Sequence, residues 1–252
     1  MRVCKVYCTY FGNRRGKISA SPSNDVEALK VIRNNIENDM VFDCGVKNMD
    51  IIIINNKNPN ANIECENYLK SINNIITQYG KIVVYERENR GGSMGAFNYA
   101  FNLFENEYDY WLFLEDDIKM IYPKYYEMII NEFKNDNNLG FLALTKINHD
   151  GTPDRYVSGG FGASKKEILI KIKQKYGKLP YDDVAHGYGN FGRSEFMFTN
   201  CYIQVGYDVR IPNDPHVVTL ADNWEMHDPH VLWQKMKNFD LKNKSFLCHM
   251  GI

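Results

Sequence analysis

Three consecutive acids, Glu115, Asp116 and Asp117, end the apolar run Tyr110–Leu114. Adjacent carboxylates repel one another, and a divalent cation with oxygen ligands relieves that crowding most directly. The competing reading is a solvated acidic turn. A second segment, suited to phosphate chemistry, lies upstream. The apolar run Lys81–Tyr85 leads into Glu86-Arg-Glu-Asn-Arg-Gly-Gly-Ser-Met-Gly-Ala-Phe-Asn98. Glycines there allow close backbone approach to a ligand, a helix start offers unpaired N–H groups, and Arg87 or Arg90 can oppose a phosphate. The spacing matches neither a Walker A loop nor the dinucleotide fingerprint, so a plain glycine turn is the rival explanation.

Presenting such groups together requires strands that end on a common edge. The runs Val3–Tyr10, Asp50–Asn55, Lys81–Tyr85, Tyr110–Leu114 and Gly140–Leu144 are bounded by turn residues and rich in β-branched and aromatic side chains, which predicts strands. Helical spacing predicts helices over Asp25–Ile36, after a Ser-Pro-Ser-Asn start signal, over Glu64–Gln78, with Leu69, Ile72 and Ile76 on one face, and over Gly95–Phe104. The second half is less regular. It holds the Gly-rich stretch Ser158–Gly162, a predicted helix near Lys165–Lys175, a Gly/Tyr/Asp-rich loop Leu179–Gly192 and a predicted helix near Ser194–Val205. This alternation predicts an α/β fold with a Rossmann-like, mostly parallel central sheet and helices on both faces, its ligands beyond the carboxyl ends of the strands.

Composition narrows the function classes. The 252 residues can bury one large core, and no compositional break marks a second domain, so one domain over residues 1–252 is expected. A formal net charge of -1 gives no global reason to expect nucleic acid, and phosphate recognition must be local. The six cysteines form no CxxC pair and sit in apolar contexts, which reads as reduced, buried thiols. The N-terminus has no secretory signature and runs into a strand pattern; the cytoplasm is the default compartment. No stretch approaches the ~20 apolar residues that span a bilayer, which leaves peripheral contact as the form of membrane association.

With these motifs in order, the chain resembles the A-fold (GT-A) glycosyltransferases, particularly the large family 2 group. The resemblance runs through Thr9-Tyr10 and Asn13-Arg14 after the first strand, Ile51–Asn56, Asn89-Arg-Gly91 with Gly95-Ala-Phe-Asn98, and Glu115-Asp-Asp117. It continues through Ser158–Glu167, with Gly160 in the small-residue loop, and Gly192-Arg-Ser-Glu195 ahead of Gly206-Tyr207. It implies a nucleotide-binding half over residues 1–118 and an acceptor-binding, catalytic half over residues 119–252. Tyr10 and Asn56 are its nucleotide candidates, joined at the nucleotide-sugar site by Thr9, Arg87, Arg90, Gly91, Asn98, Asp116 and Gly160. Where family members often carry Asp in the second-strand motif, this chain has Asn55-Asn56. Asp117 is the direct metal ligand implied, with Glu115 beside it. A late histidine, His249, completes the shell by the same resemblance, because imidazole suits manganese. Glu195 is nominated as general base, against a bland alternative as a helix-start residue that stabilises the dipole or caps Gly192. Asp182 and Asp183 are the fallback bases.

The chemistry implied is displacement at an anomeric carbon, probed through a Mn2+ or Mg2+ ion on the acidic residues and a carboxylate near the acceptor. The expected partners are a nucleotide-diphosphate sugar, with UDP as the family's commonest carrier, and a carbohydrate or other hydroxyl acceptor. A base on the far side of the ring implies inversion. The segment Thr219–His230 reads as an acceptor-side lid in which Trp224 stacks on a sugar, or as ordinary packing. The rival classes are a sugar nucleotidyltransferase, whose activation loop Phe11–Lys17 matches poorly, and a non-catalytic carbohydrate-binding protein on the same fold.

Overall fold

The computed structural model describes residues 1–12, 24–116, 118–120, 123–144, 147–149, 155–157, 160–183, 191–213 and 247–249. Four parallel strands carry the first half: β1 (Val3–Thr9), β2 (Met49–Lys57), β3 (Ile82–Glu88) and β4 (Tyr110–Glu115). They alternate with α1 (Asp25–Val41), α2 (Ile63–Ile72) and α3 (Gly92–Phe104). Every residue of β1 is buried, which requires cover on both faces of the sheet.

Beyond β4 come β5 (Ile118–Met120), α4 (Tyr125–Asn135), β6 (Leu139–Ala143) and the short pair β7 (Ile147–His149) and β8 (Arg155–Val157). They are followed by β9 (Gly162–Lys165), α5 (Lys166–Tyr176), α6 (Phe191–Gln204), β10 (Asp208–Arg210) and β11 (Leu247–His249). The main sheet has seven strands in the order β10, β6, β9, β4, β1, β2, β3. Only β9 opposes the others, lying antiparallel between β4 and β6. The carboxyl ends of β1, β2, β3, β4 and β6 therefore share one edge.

Side-chain alternation assigns the helices to faces. Trp111 and Phe113 of β4 project toward α3 and α6, where Phe101 meets Trp111 at 5.1 Å, Phe97 meets Phe113 at 5.0 Å and Phe198 meets Phe113 at 5.8 Å. Each such ring pair contributes roughly 0.5–1.5 kcal/mol beyond its buried area. On the opposite face Lys5 Nζ meets Asp39 Oδ1 of α1 at 2.6 Å, and Tyr7 donates its hydroxyl to Asp39 Oδ2 at 2.9 Å. Burial lowers the Lys5 pKa against the pull of Asp39. Removing one partner of such a pair strands a buried charge and costs about 3–5 kcal/mol. Tyr125 and Tyr126 of α4 pack on this same face, Lys5 Nζ lying 4.7 Å from the Tyr125 ring centre.

Helix α1 starts as its sequence dictates, with the Asn24 side chain accepting from the Glu27 amide at 3.0 Å. Helix α2 is shorter than predicted. It stops at Ile72 because Asn74 adopts φ 69°, after which the chain turns back along the β3 edge through Asn74 N to Ile82 O and Ile82 N to Ile75 O. Ile76, expected on the buried face, is 73% exposed. Strand β9, helix α4 and the short strands β5, β7, β8, β10 and β11 are additions to the predicted elements. Cys4, Cys8, Cys44, Cys65 and Cys201 are buried free thiols, as expected. Among the described residues no helix is long and apolar enough to cross a membrane.

Candidate active site

Of the residues nominated from sequence, Thr9, Tyr10, Asn56, Arg87, Glu115 and Asp116 lie along the shared carboxyl edge. Register sets Cys8 opposite Glu115 and Thr9 opposite Asn55. Thr9, the last residue of β1, donates its hydroxyl to Asp116 Oδ2 at 2.5 Å, and both are buried. The Asp116 amide also reaches the Cys8 carbonyl at 3.0 Å. Glu115 projects toward the α3 face, where the Ser93 hydroxyl donates to its carboxylate. Tyr10 follows β1 half-buried.

The glycine-rich loop is built from within. Asn56 is 1% exposed and its amide is committed to protein: Nδ2 donates to the Gly92 carbonyl at 3.1 Å and Oδ1 accepts from Arg87 Nη1 at 2.6 Å. Arg87 Nη2 continues to the Arg90 carbonyl at 2.7 Å, and burial lowers the pKa of this guanidinium. Asn56 and Arg87 thus shape the loop from beneath. Gly91 has φ 70°, and a Cβ there would stand 2.1 Å from the Tyr181 ring, so both conformation and space require glycine. Helix α3 begins at the next residue without a side-chain cap, which leaves its first-turn N–H groups for another acceptor.

A strap over residues 179–183 ties this loop to α6. Asn98 Oδ1 accepts from the Leu179 amide at 2.9 Å, Arg90 Nε donates to Asp183 Oδ1 at 3.1 Å, and the Asp182 amide donates to Ser194 Oγ at 3.0 Å. Asp182 Oδ2 is buried without a hydrogen-bond partner among the described residues, with Arg193 Nε 3.7 Å away. Glu195 is the fifth residue of α6 and half-buried. It lies past the first turn of the helix. Gly160 has φ 63° and packs on Met94 of α3, whose Sδ lies 2.7 Å from where a Cβ would sit.

Asp117 lies outside the described residues, as do the His249 side chain and the proposed lid around Trp224. The backbone of β11 is antiparallel to β5 and sets His249 opposite Ile118. Among the described residues no group of three or more His, Cys, Asp or Glu is placed to hold a metal. The carboxylate oxygens of Glu115 and Asp116 are nonetheless the donors that a hard cation such as Mn2+ or Mg2+ takes. Ser93, Ser194, Tyr181 and Arg193 were not singled out in the sequence. Ser93, directly after the Gly91-Gly92 pair, was the one with a readable signal.

No protein-family model matches the sequence, and no curated protein matches it. Solved structures do. Residues 1–349 of S. aureus TarS, in complex with UDP, superpose with a TM-score of 0.52 at 10% identity, covering 94% of this chain and 66% of that one. The longer S. aureus TarS structure gives 0.50 at 11% identity, covering 94% and 40%. The mannosyltransferase PcManGT from Pyrobaculum calidifontis, in complex with GDP-Man and Mn2+, gives 0.50 at 13% identity, covering 94% and 64%. The chain spans less than two thirds of each of these proteins. The shared architecture is the GT-A fold, and this chain has it.

Proposed function

We propose that the protein is a glycosyltransferase that moves a sugar from a nucleotide-diphosphate sugar, with UDP the first carrier to try, to an acceptor hydroxyl with inversion. The observation that carries the reading is the edge itself. An acidic pair held by Thr9 and Ser93, a glycine loop shaped by Asn56 and Arg87, and a strap leading to Glu195 are joined by hydrogen bonds beside the carboxyl edge, where open α/β sheets take their ligands.

Glu115 and Asp116, with Asp117 and His249, would hold a Mn2+ or Mg2+ ion, which supplies Lewis-acid neutralisation of the departing diphosphate. The PcManGT structure, solved with GDP-Man and Mn2+, supports a divalent ion on this fold. The loop around Gly91 and Arg90 lies against the donor phosphates, and Tyr10 and Thr9 border the nucleoside. Glu195 takes the proton of the acceptor hydroxyl as its oxygen attacks the anomeric carbon and the bond to the diphosphate breaks. Asp182, whose Oδ2 is buried without a hydrogen bond among the described residues and faces Arg193 Nε at 3.7 Å, is the second assignment of the base.

The test is a panel of nucleotide sugars screened for thermal stabilisation with and without Mn2+, since a ligand selective for the native state raises apparent stability. The reading expects at least one donor to stabilise the protein only with metal. Pyrophosphate exchange with a sugar phosphate would replace it with nucleotidyl transfer.

A further inference from the structure

Helix α1 reaches the acidic edge through two amides that its own folding does not use. Asn35 Nδ2 donates to the Asp116 carbonyl at 2.6 Å and to the Ile118 carbonyl at 3.2 Å. Asn38 Nδ2 donates to the Met120 carbonyl at 3.3 Å. The Ile118 and Met120 carbonyls, two residues apart on β5, point the same way and face α1, while the other side of β5 pairs with β11. The helix acts as a second neighbour of the strand, supplying side-chain donors where a strand would supply N–H groups.

The arrangement is costly for the helix. Asn35 is 1% exposed on a face it shares with Ala28, Val31, Ile32, Ile36 and the Lys5-paired Asp39, and its Oδ1 has no hydrogen-bond partner among the described residues. A leucine would pack there without that penalty, yet it would leave two carbonyls without their donor. An aspartate would set negative oxygens against those carbonyls. Only an amide of this length offers two N–H groups at one point. The two carbonyls it grips belong to the residues on either side of position 117 in the sequence.

We infer that Asn35 is a positioning residue, whose amide fixes the backbone at Asp116 and Ile118 and thereby the Asp116 carboxylate at the edge proposed to hold the cation. This rests on the metal-dependent reading of the edge. Asn38 extends the same grip by one turn to Met120, and through β5 it sets where β11 lies.

The experiment compares wild type, Asn35→Leu and Asn38→Ala by two measurements. One is Mn2+ affinity, titrated with the metal alone. The other is hydrogen exchange of peptides covering residues 116–120 and 247–249. Asn35→Leu should lose about tenfold or more in Mn2+ affinity, the usual scale for a group that orients metal ligands. Its exchange should quicken in those peptides and stay unchanged in β2 and β3. Asn38→Ala should shift both readouts the same way by less, and it decides the matter if Asn35→Leu does not fold. Unchanged Mn2+ affinity in the variants, or faster exchange spread over the whole chain, would overturn the assignment. Wild type that binds no Mn2+ would instead defeat the metal reading of the edge, and the assignment with it.

Discussion

The Thr9 hydroxyl meets Asp116 Oδ2 at 2.5 Å, joining the end of β1 to the residue after β4. The same aspartate is held to β1 a second time through its amide and the Cys8 carbonyl. A buried hydroxyl donor restrains the side chain it bonds, and this one holds the Asp116 carboxyl group at the carboxyl edge of the sheet.

Thr9→Val keeps the shape of the side chain and removes that donor. The variant should lose about 1–3 kcal/mol of stability, while Thr9→Ser should retain most of it. Urea denaturation of the three proteins reads the difference, and equal midpoints for Val and Thr would show that the bond contributes nothing.

Gly91→Ala tests the loop. The left-handed conformation costs alanine roughly 1–2 kcal/mol, and its methyl group meets the Tyr181 ring, which must shift and take the strap with it. Nucleotide affinity should therefore fall more than stability does, measured by titration and melting on one preparation.

Alkaline pH should weaken the fold through its buried tyrosines. Burial raises the pKa of Tyr7, Tyr125, Tyr126 and Tyr202 well above the usual 10.0, and Tyr68 is pushed up to about 12. Above pH 10 the unfolded chain releases these protons while the native state keeps them, so the unfolded state binds fewer protons and stability falls as pH rises. Denaturation midpoints between about pH 9 and 11 should drop, with a step of added tyrosinate absorbance on unfolding as the buried tyrosines are released. Unfolding at that pH with no such step would contradict this.

The strands of the first half were legible because parallel strands covered on both faces are continuous apolar runs. Strand β9 was not. Its Gly162-Ala-Ser-Lys165 has no β-branched residue, since a Cβ at Gly162 would collide with Leu142 O and the Phe141 ring, and that crowding exists only after the sheet forms. Helix α2 was read past its end because Ile76 kept the helical period, while pairing along β3 took the chain elsewhere. In the candidate site, residue types pointed to one strand edge but not to the partners that the side chains take there. Asn56 and Arg87 turned inward to each other, and Asn35, a buried polar residue one turn before Asp39 on the inner face of α1, was a signal left unread.

Glu195→Gln separates base from scaffold. It keeps shape and most hydrogen bonding but removes the basic oxygen, so transfer should fall by roughly 10²–10⁴ while donor affinity and melting temperature hold. Near-wild-type transfer would move the base to Asp182 or Asp183, and loss of donor binding alone would make Glu195 a donor-site residue.

The central claim, cation-assisted sugar transfer at this edge, is tested most directly by nucleoside diphosphate release from a nucleotide-sugar panel, with Mn2+ or with chelator, in wild type and Asp117→Asn. The account predicts release from at least one donor that needs the metal and collapses in Asp117→Asn, which removes a charged ligand of the cation. Release that survives both the chelator and Asp117→Asn, or no release from any donor with any hydroxyl acceptor, would contradict it.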